Sequence, residues 1–153
     1  MNRAKARRTR GQAMVEFALV APIFFLILFG IIDMGRYVYT LNELQQITRE
    51  AARVGSVPIR PPECNSLGRS SCVKQIAIER ASVVNLTTGD VTVTCERIEA
   101  DASISILANT DDCAGTDMLV VKTQTNFNLI TPLVAQYVNK VGLNGEARVT
   151  VNQ

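Results

Sequence analysis

The chain has no histidine, the side chain that most often moves protons near neutral pH and binds catalytic metals. It also lacks the G-x-S-x-G, H-E-x-x-H and G-x-x-x-x-G-K-[ST] patterns, so the common nucleophile, metal and phosphate constellations are missing. No enzyme, cofactor or metal site is expected. An excess of charge of either sign is missing as well: 16 basic residues stand against 14 acidic ones, a net charge of +2, and nucleic acid, which is bound by broad basic surfaces, is not an expected partner. The four cysteines are Cys64, Cys72, Cys95 and Cys113, and none has another within the two-to-four-residue spacing of a structural zinc site. They fit two disulfides in an oxidising compartment, with unpaired buried thiols as the bland alternative. Cys64–Cys72 and Cys95–Cys113 each close one local loop and are favoured. Cys95 on a strand and Cys72 on a packed helix can also meet, so the pairing stays open. Asp111, Asp112 and Asp117 cluster in "NTDDCAGTD", but the spacing and closing glutamate of an EF-hand loop are absent, and a solvated turn is expected there.

What the chain does have is apolar residues, 47% of the total, a high share for a soluble domain. Much of the excess lies in "RGQAMVEFALVAPIFFLILFGIID", residues 10–33, where Phe17 to Ile32 carry no charge. As a helix, Phe17–Ile32 spans ~24 Å, short of a ~30 Å hydrocarbon core, whereas Gln12–Ile32 spans ~31 Å. Glu16 therefore falls at or inside a membrane boundary. The "DMGRYVYT" that follows offers no small-x-small site, which argues against a cleaved secretory signal. Two readings remain open. In one, the helix is an uncleaved anchor, and Glu16 snorkels to the cytoplasmic interface, helped by the positive end of the helix. In the other, the chain is cut between Gly11 and Gln12, and the new α-amino group stands one helical turn from Glu16. The two could pair within one chain or between neighbours, in a medium where such pairing is strong. Arg3, Lys5, Arg7, Arg8 and Arg10, with no acid among the first ten residues, put this end in the cytoplasm and the cysteines outside.

The order basic leader, Gly11, four residues, Glu16, Phe17 and a long apolar helix resembles the class III signal of type IV pilins, which prepilin peptidase cuts after the glycine. More narrowly, "VEFALVAP" (Val15–Pro22), "FGIIDMGR" (Phe29–Arg36) and "REAARVGS" (Arg49–Ser56) closely resemble the TadE-like pseudopilins of tight-adherence (Tad/Flp, type IVc) pili. "FNLITPLV" (Phe127–Val134) is similar to a further segment of that family. The resemblance covers nearly a third of the chain, and the Cys64–Cys72 loop departs from it. It implies cleavage between Gly11 and Gln12, with Glu16 as the assembly charge. The partners it implies are prepilin peptidase, the major Flp-type pilin, other minor pilins, the inner-membrane pilus assembly platform and the lipid bilayer. The implied location is the bacterial inner membrane, single-pass with the head extracytoplasmic, or the surface pilus after assembly. The implied role is assembly or priming of a pilus used in adhesion or surface attachment. A membrane-tethered binding module that never enters a fibre is the alternative.

Beyond the membrane, Met34, Tyr37, Leu41, Leu44, Ala51 and Val54 recur at three- and four-residue steps, a stripe interrupted by Thr48. The spacing predicts one helix over residues 12–55, transmembrane at 12–32, with Gly55 and Pro58 as stop signals. Tyr37 and Tyr39 suit the outer interface. Residues 56–71 read as a proline-rich loop, and 72–153 as an extracytoplasmic head. Within the head, Val73 to Val84 trace a short amphipathic helix capped by Ser70 or Ser71. Residues 91–98, 102–108, 118–130 and 146–153 alternate like strands. The expected fold class is α+β: a long amino-terminal helix and a small head of one short helix and an antiparallel sheet of about four strands.

Overall fold

A computed structural model gives the architecture. It describes residues 3–58, 61–131, 136 and 140–152, with side chains from residue 11 onward apart from Glu63. The basic side chains of the leader, residues 132–134 of the Phe127–Val134 segment and Gln153 lie outside the described residues.

Helix α1 (Arg3–Ser56) runs 54 residues without a break, Pro22 included. It has two halves. Over residues 11–32 almost every side chain is exposed, apolar ones foremost. From Asp33 onward one face is buried under the head. The naked half keeps its backbone polar groups bonded within the helix, the one arrangement besides a closed barrel that crosses a bilayer.

The head comprises α2 (Arg69–Arg80) and four strands, β1 (Val91–Ile98), β2 (Ile104–Leu107), β3 (Met118–Phe127) and β4 (Val141–Thr150). The strands form one antiparallel sheet in the order β2-β1-β3-β4. This is the expected α+β architecture. On the inner face, Val91, Val93, Cys95, Leu119, Val121, Leu143 and Ala147 are buried; in β1 and β4 they alternate with more exposed neighbours, as the two-residue period of a half-covered sheet requires, whereas in β3 the intervening Val120 is buried as well. α1 lies across β3 and β4, while α2 packs on α1 and β1. The outer face carries a ladder of ion pairs: Arg148 Nε to Glu146 Oε1 at 2.8 Å, and Arg148 Nη1 to Glu96 Oε2 at 3.3 Å.

Four local expectations need correction. α1 ends at Ser56, one residue past the expected end, but Gly55 itself still lies inside the helix, where a Cβ would fall 2.5 Å from Leu119 Cδ2 and from Val73 Cγ2. Close packing, not termination, explains the glycine. Thr48 does not interrupt the buried stripe. It is fully buried, its hydroxyl 2.6 Å from Leu44 O and 2.6 Å from Thr123 Oγ1, so the polar atom enters the core already satisfied. α2 begins earlier and ends earlier than expected, and its N-cap is Gly68, which has no side chain to offer. Asp111 supplies the missing acceptor from a distant loop by taking the Arg69 N–H. Finally, β4 starts at Val141 rather than Glu146, because Val141 to Gly145 continue the ladder opposite Phe127 to Thr123.

The strand β3 runs antiparallel to α1: Leu119 meets Gly55 near the far end of the helix, and Phe127 meets Tyr37 near the membrane half. This direction brings the segment after Phe127 down to the start of the covered half.

Candidate assembly helix and its head latch

The sequence places Gly11, Gln12 and Glu16 at the amino-terminal end of the apolar half, and the structure keeps them there on one continuous helix. All three are exposed. Gln12 and Glu16 stand at i and i+4, neighbours on one face. Among the described residues Glu16 has no ionic or hydrogen-bond partner. Beyond its chain neighbours and the helix's own backbone, no described atom lies within 4 Å of where a Cβ on Gly11 would sit.

At the opposite end of the apolar half is a group whose role the sequence did not reveal. Asp33 directly follows the uncharged run, yet it is only 5% exposed. Four donors fill its carboxylate. The Ile130 N–H is shared between both oxygens at 3.1 Å, the Thr131 N–H reaches Oδ2 at 2.9 Å and the Thr131 hydroxyl reaches Oδ2 at 2.6 Å. From one turn further along α1, Arg36 Nη1 meets Oδ1 at 3.2 Å. Burial pushes this carboxyl's pKa up. The bonds from Thr131, Ile130 and Arg36 outweigh that, and the group is held below its ordinary value. Phe127 completes the latch: the Tyr37 ring meets it edge-on with centroids 5.7 Å apart, and the Arg36 guanidinium carbon lies 5.2 Å from its centroid. Of the two tyrosines expected at the lipid interface, Tyr37 packs on the head through Phe127, whereas Tyr39 is exposed. The signal that could have found the latch was an acid at the outer edge of the apolar run, set against a threonine in a second family-like segment.

The cysteines form Cys64–Cys72 and Cys95–Cys113. The first closes the turn ahead of α2, where Val54 and Leu67 pack beside it. The second ties β1 to the aspartate-rich loop. That loop is exposed at Asp111 and Asp112, as a solvated turn is, but not at its third aspartate. Asp117 is fully buried, paired with Arg97 through Nε at 2.9 Å and Nη2 at 2.8 Å, and it accepts the Ala114 N–H at 2.8 Å. The Arg97 bond and the Ala114 N–H hold its pKa below its ordinary value against the opposing effect of burial. Such bidentate, saturated pairing is what lets an aspartate stay charged inside a core. Cys95, Cys113 and Asp117 lie close together, but both sulfurs are committed to the disulfide, so the cluster is structural.

The family described as TadE-like protein matches residues 11–53. Over this helix the chain is similar to the TadE-like family. No curated protein and no solved structure matches the chain. The match starts at Gly11, takes in Glu16, Asp33 and Arg36, and stops before the head. The TadE-like helix associates the protein with Tad pili, and its one long apolar stretch, uncovered by the rest of the chain, fits a single-pass membrane protein. Asp33 lies within the TadE-like helix while Ile130 and Thr131, which hold it, lie beyond the matched residues. The latch thus joins the family segment to a head that the family leaves undefined.

Proposed function

We propose that this protein is a minor pilin or pseudopilin that takes part in assembling or priming a Tad pilus, and that it performs no catalysis. The observation that carries this reading is the division of α1: among the described residues, 11–32 are almost wholly exposed, while one face of residues 33–56 is covered by the head. A helix of that kind sits in the inner membrane with its amino terminus in the cytoplasm and its disulfide-bonded head outside. It can leave lipid for the centre of a helical fibre with little net change in apolar burial, because lipid tails and neighbouring helices are similarly apolar.

In this reading prepilin peptidase removes residues 1–11, and the new Gln12 α-amino group pairs with Glu16 of its own or an adjacent subunit. The pair sets register between subunits, including the major Flp-type pilin and other minor pilins, as the assembly platform adds them. The fibre then serves surface attachment. A buried amine deprived of its carboxylate costs about 3 to 5 kcal/mol, enough to oppose each junction.

Glu16→Ala separates this from a simple anchor. The variant is expected to insert in the membrane and to be cut, since leader and glycine remain, but to lose crosslinking to the major pilin and to lower the count of surface fibres. Normal crosslinks and normal piliation would favour a tethered binding module whose glutamate merely reaches the interface.

A further inference from the structure

Between the latch and the membrane half of α1 lies a groove of about 350 Å³. Gly30, Met34 and Tyr37 line its helix side; Phe127, Leu129 and Val141 line its head side. Its walls are almost wholly apolar. The one ionised group at its edge, Asp33, already has four donors and no remaining demand for water. Gly30 lends no side chain, so the groove is open on the helix at that level. Met34 and Ile130 beside it are 62% and 56% exposed.

The depth of this groove follows from the helix. With Gln12–Ile32 spanning a ~30 Å hydrocarbon core, Gly30 stands ~4.5 Å below Asp33 and Tyr37 ~6 Å above it, at 1.5 Å per residue. The groove therefore straddles the outer boundary of the apolar layer on the head's side. Its helix wall is continuous with the exposed apolar surface of residues 11–32, the surface that faces lipid when the helix spans. Water in so apolar a groove would forgo hydrogen bonds, whereas an acyl chain already lies against the helix just below.

We propose that this groove is a lipid site, occupied by the glycerol-proximal part of a phospholipid acyl chain from the leaflet on the head's side. The β3–β4 side of the head is seated on the bilayer surface, with Leu129, Ile130 and Val141 at its depth, rather than held away from the membrane on a bare stalk. The latch is what creates the site: by tying Ile130 and Thr131 to Asp33, it fixes the head wall opposite Gly30 and Met34. The proposal rests on the single-pass reading of α1 and is independent of whether the protein enters a fibre.

The test uses the full-length protein in phosphatidylethanolamine–phosphatidylglycerol vesicles doped with a phosphatidylcholine that carries a photoactivatable diazirine either near the top of one acyl chain or at its end. Labelled peptides are located by mass spectrometry. The shallow probe is expected to mark the upper helix together with Leu129–Ile130 and Val141, and the deep probe the helix alone. Ile106, 67% exposed at the far end of the sheet, is the internal control and should remain unmarked by both. Adducts on the helix without any on Leu129, Ile130 or Val141 would overturn the lipid site while leaving the anchor intact, and so would equal marking of Ile106. Absence of adducts on residues 12–32 would overturn the anchor and the site together.

Discussion

Replacing Asp33 with alanine strands the Ile130 and Thr131 amides in a buried seam and frees Arg36. Hydrogen bonds to a charged group are worth about 1.5 to 3 kcal/mol each, and orphaned donors add to the loss, so Asp33→Ala is expected to cost roughly 2 to 4 kcal/mol. Limited proteolysis would show it first in the segment after Phe127; unchanged cleavage there would mean the latch is not what holds the head down. Asp117 offers a complementary test through pH. Its folded pKa is depressed, chiefly by the hydrogen bond from Arg97. The stability it contributes is therefore complete above its unfolded value, about 3.9, and is lost as pH falls through the lower folded value. Asp33 has the same sign. Thermal melts in detergent micelles should fall off steeply below about pH 4. Asp117→Asn should melt lower at pH 7 and lose less on acidification; parallel pH curves for the two proteins would refute the assignment.

At the scale of elements, α1, β3 and β4 meet where Thr48, Thr123 and Gly145 touch. A Cβ on Gly145 would come 2.5 Å from Thr48 Oγ1, 2.6 Å from Thr123 Oγ1 and 3.3 Å from Leu44 O. The last of these is backbone, so the junction has little room to yield. Gly145→Ala is expected to lose about 1 to 3 kcal/mol by overpacking, read as a lower urea midpoint at constant slope. A neutral or stabilising alanine would show that the helix can lift away from the sheet at this point. Each disulfide is a second kind of junction. Joining residues 8 and 18 apart in sequence, they stabilise by about 2 to 3 kcal/mol each in the chain-entropy model. Serine at both Cys95 and Cys113 should therefore lower the midpoint, and it should expose the loop holding Asp117.

For the whole molecule, what was legible in the sequence was what local pattern encodes. The uncharged run from Phe17 to Ile32, the three- and four-residue stripe after it and the alternation of Val91–Ile98 each reflect a periodicity set by helix or strand geometry. The disulfides were legible because both close short loops. What stayed hidden depends on residues far apart. Asp33 is held by residues almost a hundred positions later, Asp111 caps a helix that precedes it by some forty, and Thr48 joins the core only because Thr123 meets it. Gly55 read as a stop because a helix-ending glycine and a glycine packed under Leu119 look alike in one dimension. The proposed amino-terminal site, Gly11 and Glu16, draws attention in the sequence because a charge against a membrane-length run is conspicuous whatever packs around it.

The division of α1 into a naked and a covered half makes sense in a pilus only if the leader is removed and a new amine appears beside Glu16. The most direct test is the amino-terminal sequence of the mature protein recovered from membranes of cells that hold prepilin peptidase. The expected result is a chain starting at Gln12. At Gly11 an added Cβ would meet nothing within 4 Å, so Gly11→Val should leave the fold alone and accumulate as uncut precursor. A mature protein that still begins at Met1, or one that begins beyond Ile32, would contradict the account.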